Sequence, residues 1–84
     1  MKWKHYVLEC IDNSYYSGST TDIERRLIEH NKGKGAKYTR SRLPAKIIYF
    51  ESYKDRSSAQ KAEAAFKKLN RKQKEKFILD WKTK

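Results

Sequence analysis

The chain has 84 residues; 21 are Lys or Arg and 10 are Asp or Glu, giving a formal charge of +11. That length predicts a single domain spanning residues 1–84, with a thin core that aromatic side chains, six of them Tyr, must help to fill. No apolar run approaches the roughly 20 residues of a membrane span, one cysteine excludes an internal disulfide, and one cysteine with two histidines excludes a closed zinc site.

Residues 3–10, WKHYVLEC, alternate and are rich in aromatic and β-branched types, so they read as a strand. Asp12 and Asn13 suit a tight hairpin turn, after which YYSG returns as a second strand. TTDIE opens a helix, with Thr21 as N-cap and Glu24 three residues on, the spacing of a capping box. This helix runs to about Asn31 and stops at Lys32-Gly33, where glycine can take the left-handed conformation. GKGAKYTRSRLP is a basic loop with room for one helical turn, closed by Pro44. AKIIYFESY is a third strand. DRSSAQKAEAAFKKL is a second helix capped by Asp55 or Ser57, and NRKQKEKFILDW a short basic third with Asn70 as break or cap. The predicted order is β-β-α-β-α-α. The fold class is α+β, a small three-stranded, mainly antiparallel sheet covered by helices.

The charge is unevenly spread. Residues 1–31 carry a net of −1, residues 32–46 carry six basic groups and no acid, and residues 54–84 carry +7. An acid-free block holding Arg, Lys and Tyr together points to a polyanionic partner, because neutralising phosphates releases counterions. The expected partner is nucleic acid, and charge leaves DNA and RNA both open. A membrane partner is not expected, since no helix joins a basic face to a broad apolar one. The N-terminal MKWKHY lacks the apolar stretch of a signal peptide, so the expected location is cytoplasmic. A monomer or weak homodimer without a small-molecule cofactor is expected.

Several polar residues fall on apolar faces. With Ile23 at zero on a helical wheel, Leu27 falls at about 40°, His30 at about 340° and Arg26 at about 300°. Arg25 and Glu29 point away. Arg26 and His30 thus edge the buried seam, either as a snorkelling arginine and a satisfied core-edge histidine or as functional groups. In the second helix Glu63 lies within the apolar stripe of Ala59, Ala62, Phe66 and Leu69. A buried carboxylate needs a cation, and two readings stay open: a salt bridge to Lys or Arg, or a hard metal ion. Tyr6, Leu8 and Cys10 share one strand face, where Tyr6 can pair with Tyr16. Gly18, two residues on, either opens the sheet edge to an approaching backbone or ends the strand.

A tyrosine in the first strand (Tyr6 in KHYVL), a Tyr-x-Gly in the second (Tyr16 to Gly18), Arg26, His30 one turn later and Glu63 in a following helix resemble the GIY-YIG nuclease domain. More narrowly, YYSGSTTDIERRLIEHNKGKGAKYTR and AEAAFKKLNRKQKEKFI are similar to the small stand-alone bacterial GIY-YIG proteins. Two departures stand out. The first motif reads Lys4-His5-Tyr6, without its glycine, and Ser19 stands where excision-repair relatives carry lysine.

The resemblance implies a metal-dependent endonuclease hydrolysing DNA phosphodiesters, with structure-directed cleavage and a role in repair or recombination as its expected extensions. Glu63 would hold Mg²⁺ or Mn²⁺, Arg26 would neutralise the transition state, Tyr16 would take a proton from the attacking water, and Tyr6 would orient it or share the task. His30 would accept that proton onward or contact phosphate. Tyr38, Thr39 and Arg40 would form a stacking and phosphate-contact platform. Gly18, Lys34, Lys37 and Lys67 complete the expected nucleic-acid-binding set. The alternative is a nucleic-acid-binding module on the same fold, with weak or no catalysis.

Overall fold

The computed structural model describes residues 2–83. Its elements are β1 (Trp3–Glu9), β2 (Tyr15–Thr20), α1 (Ile23–Asn31), α2 (Lys37–Arg40), β3 (Lys46–Tyr53), α3 (Arg56–Lys67) and α4 (Arg71–Lys82). The order is β-β-α-α-β-α-α: the basic loop contains one helical turn, α2, and the rest follows the sequence expectation.

The sheet runs β2-β1-β3 with both pairings antiparallel. As the central strand, β1 is covered on both faces, and His5, Tyr6, Val7 and Leu8 are all buried. Alternate residues serve different cores. Tyr6, Leu8 and Cys10 pack with Ile23 and Leu27 on the α1 side, whereas Val7 packs with Tyr49, Phe66 and Ile78 on the α3–α4 side. The β1–β3 register slips between Val7 and Leu8, which face Tyr49 and Ile47. Ile47 and Tyr49 therefore enter opposite cores although only two positions apart, as a bulge permits.

Local chemistry sets the ends of the elements. Asn13 turns the hairpin at φ 67°, a left-handed conformation that Asn tolerates better than most residues. The N-cap of α1 is Asp22 rather than Thr21: its carboxylate accepts the Arg25 N–H at 3.1 Å. Strand β2 continues to Thr20, so Thr21 is used in the turn and the cap moves one residue on. Gly33 follows α1 at φ 78°, in the left-handed conformation expected of it. Asp55 caps α3, and Asn70 with Gln73 forms a reciprocal capping box on α4. Asn31 holds the end of α1 to the start of β3 by accepting the Ala45 N–H at 2.8 Å and donating to its carbonyl at 3.1 Å. Among the described residues no helix is long and apolar enough to cross a membrane.

Candidate active site

Strands β1 and β2 place Tyr6 opposite Gly18 and Leu8 opposite Tyr16. Tyr6 and Tyr16 are thus diagonal neighbours on one sheet face, with ring centroids 6.4 Å apart. A Cβ on Gly18 would lie 2.6 Å from the Tyr6 hydroxyl, so the missing side chain makes room for this phenol, not for an outside backbone.

Helix α1 completes this face. His30 is fully buried, and its Nε2 lies 3.0 Å from the Tyr6 hydroxyl. On its other side, Nδ1 lies 2.8 Å from the Thr39 hydroxyl. Gly35 has no Cβ because the His30 ring fills that space. Burial, followed by the nearby Arg26 charge, pulls the imidazole down to about 4, so it is neutral at pH 7. Burial pushes the Tyr6 phenol up to about 12, opposed by a hydrogen bond from Arg26. Burial works against the Arg26 charge, yet hydrogen bonds with Glu29 and Tyr6 hold its pKa above the ordinary arginine value. The Arg26–Glu29 ion pair, at 3.1 Å, is part-exposed, and Glu29 is only half-buried rather than directed away.

Glu63 approaches from the opposite sheet face, on α3. Its Oε1 accepts a hydrogen bond from Ser19 at 2.9 Å and its Oε2 pairs with Lys67 at 2.8 Å. The carboxylate is not sealed: its side chain is 21% exposed and that of Lys67 is 53% exposed. Ser17, two residues before Ser19, donates to the Glu63 carbonyl at 3.4 Å and lies 2.8 Å from His5 Nε2. Burial pulls His5 down to about 4. It is neutral there, between the Tyr49 and Phe66 rings, and its Nδ1 has no partner. β2 is an edge strand, with the Tyr–Arg–His group on one side of the sheet and Glu63, hydrogen-bonded to Ser19 of β2, on the other.

A groove of about 230 Å³ lies along this edge, lined by Tyr15, Tyr16, Tyr38, Phe66, Lys67 and Lys74. Tyr16 stacks on Tyr38 with centroids 6.2 Å apart, and Arg42 covers Tyr38 at 4.1 Å. Arg71 covers the Tyr15 ring at 3.7 Å. A larger hollow of about 340 Å³ at the start of α1 carries Asp22 and Glu24, the wrong charge for a polyanion.

The structure therefore divides the sequence-predicted residues. Tyr6, Tyr16, Gly18, Arg26 and His30 come together, with Glu63 beside them at the strand edge. Lys34, Lys37, Tyr38 and Arg40 are exposed on the segment around α2. Thr39, expected on that outer platform, is fully buried against His30. His30 itself has no surface to offer a phosphate. Lys67 faces Glu63 directly. Sequence reasoning gave no task to Ser17, Gly35 and Asn31, and named Ser19 only as a departure from the excision-repair pattern. The alternation of Ser17 and Ser19 on a strand was a readable sign of a polar inner row; Gly35 carried no local sign.

The sequence matches the GIY-YIG catalytic domain over residues 2–77. It is 57% identical over 75 residues to a UPF0213 protein of Listeria welshimeri, covering 89% of this chain and 83% of the relative. A UPF0213 protein of Bacillus cereus is 56% identical over 79 residues, covering 92% and 82%. Among solved structures, the solution NMR structure of an E. faecalis protein matches with a TM-score of 0.68 at 51% identity, covering all of this chain and 90% of that one. The solution NMR structure of a UPF0213 protein from Bacillus halodurans matches with a TM-score of 0.60 at 41% identity, covering 93% and 83%. The chain belongs to the GIY-YIG family of nuclease-type catalytic domains, alongside the small bacterial UPF0213 proteins.

Proposed function

We propose that this protein is a divalent-metal-dependent endonuclease that hydrolyses phosphodiester bonds in DNA. The observation that supports this most directly is the convergence of Tyr6, Tyr16, Arg26 and His30 on one face of the sheet, with Glu63 held by Ser19 of the edge strand β2 on the other. Glu63 and the Ser19 hydroxyl are hard oxygen donors, which suits Mg²⁺ or Mn²⁺ held by one carboxylate, waters and a substrate phosphate. Among the described residues no group of three or more His, Cys, Asp or Glu side chains gathers as a closed metal site, so the carboxylate would act as a sole protein anchor. A bound ion would supply charge neutralisation at the phosphate.

The chain's own groups would then divide the work. Arg26 presents a part-exposed guanidinium to the charge that builds on the phosphorus oxygens. Tyr16 lines the groove and is the phenol placed to relay the proton of the attacking water. Tyr6 is buried, and its hydroxyl is oriented by His30. His30 is the neutral base available to the phenols. Its basicity is depressed partly by Arg26, so a phosphate that neutralises Arg26 would raise it.

The Glu63–Lys67 contact supports the second reading, a binding module with an occupied carboxylate. Magnitude argues against it. A part-exposed helical i,i+4 pair is worth about 0.3–0.5 kcal/mol, far too little to keep out a divalent ion and a phosphate. The experiment is incubation of the purified protein with Mn²⁺ and labelled single-stranded, nicked and branched DNA. Cleavage that disappears in both Arg26→Ala and Glu63→Ala supports the nuclease. DNA shifted on a gel yet left intact supports the binding module.

A further inference from the structure

Thr39 belongs to the most basic stretch of the chain, but its side chain turns inward. Helix α2 shows Lys37, Tyr38 and Arg40 to solvent and buries only Thr39, whose hydroxyl meets His30 Nδ1 at 2.8 Å. The hydroxyl has one proton to give. That proton is directed to the Ala36 carbonyl at 3.0 Å, so the oxygen faces His30 as an acceptor. Nδ1 must then carry the hydrogen. With Nδ1 protonated and the ring neutral, Nε2 has a free lone pair, 3.0 Å from the Tyr6 hydroxyl.

We propose that Thr39 is a positioning residue: it fixes His30 in the Nδ1–H tautomer, so that Nε2 is held as the acceptor of the Tyr6 proton. The assignment of a task to that proton rests on the nuclease reading; the tautomer does not.

One contact pulls the other way. The Ala36 N–H points at Nδ1 from 3.4 Å, which would favour an unprotonated Nδ1. At that distance a hydrogen bond is near its outer limit, whereas the Thr39 hydroxyl's donation to the Ala36 carbonyl at 3.0 Å lies well within range and leaves Nδ1 to supply the hydrogen of the 2.8 Å contact. The surroundings of Tyr6 agree. In the opposite tautomer, His30 Nε2–H would donate to the phenol oxygen, leaving the phenol's own proton without this acceptor. The rivalry makes the proposal sharp, because removing the Thr39 hydroxyl leaves the Ala36 N–H as the remaining polar partner of Nδ1.

Gly35 supports the same arrangement by leaving the ring its space.

The test is nitrogen NMR of the protein labelled at its two histidines, at neutral pH, for the native chain, Thr39→Val and Thr39→Ser. His5 lies on the other sheet face and serves as the internal check that each variant is folded. The native chain and Thr39→Ser are expected to show His30 with a protonated Nδ1 and an unprotonated Nε2. Thr39→Val is expected to reverse the two. A native His30 protonated at Nε2, or a Thr39→Val variant with intact His5 signals and an unchanged His30 tautomer, overturns the proposal. On a DNA substrate that the native enzyme cuts, Thr39→Val should lower kcat at least about tenfold with little change in KM, and Thr39→Ser should restore it. A loss confined to KM overturns the positioning role. If the native chain cuts no substrate, the nuclease reading fails, while the nitrogen signals still decide the tautomer.

Discussion

Gly18 and Gly35 are each defined by a neighbouring ring. Gly18→Ala would drive a methyl group into the Tyr6 hydroxyl, and Gly35→Ala into the His30 ring. Both rings are buried and cannot swing away, so each substitution should destabilise the fold by about 1–3 kcal/mol, as overpacked cores do. Urea unfolding measures this, and a variant as stable as the native chain contradicts the packing. The two histidines set a pH dependence. Both are held at about 4 in the fold against 6.5 when unfolded, so between those values the unfolded chain binds more protons. The stability they contribute is complete above pH 6.5 and is lost as pH falls towards 4. At about 1.4 kcal/mol per unit, the loss amounts to several kcal/mol. The melting temperature should fall through this window, less steeply in His5→Phe, and equal slopes for the two proteins would refute the account. The wheel put Arg26 and His30 at the edge of one seam and strand alternation allowed Tyr6 to pair with Tyr16, while their joining into one site came from the resemblance to the GIY-YIG domain. Thr39 was not legible, since its partner lies nine residues away and a wheel of one turn does not show which way it faces.

Helix α2 is a single turn, too short to be stable by itself. Its inward contact with His30 and the Asn31 bonds to Ala45 brace the segment on both sides. Asn31→Ala leaves the Ala45 N–H and carbonyl without these partners, and a cost of about 1–3 kcal/mol is expected in urea unfolding; an unchanged midpoint would show that the staple is dispensable. The outer face is predicted to contact phosphate. Lys37→Ala and Arg40→Ala should each weaken DNA binding and reduce the slope of log affinity against log salt by about one per lost contact. An unchanged slope would exclude contact there. The sequence marked every strand and long helix through turn residues and caps, and it allowed for the turn at α2. It misplaced the α1 cap by one residue because Thr21 and Asp22 are both good caps, and only the length of β2 decides between them. The bulge at Val7/Leu8 hid the facing of β3, because it breaks the alternation on which that reading depends.

At the scale of the whole molecule, a charge of +11 rests on a fold whose candidate site lies at the β1–β2 side of the sheet. Lys67 on α3 and Lys74 on α4 line the groove there, and Tyr38 of α2 brings the exposed basic segment to it. This explains why charge announced a polyanion but could not separate binding from cleavage: both use the same lysines. The distinction lies in Glu63, whose place at the edge depends on Ser19 and on the long-range packing of α3 across β1 and β2. The most direct test is therefore a paired measurement of binding and cleavage by the native protein and Glu63→Gln, on one labelled DNA substrate with Mg²⁺ or Mn²⁺. The account predicts that Glu63→Gln binds at least as tightly as the native protein but cuts only at background. A native protein that binds without cutting, or a Glu63→Gln variant that cuts at the native rate, would contradict it.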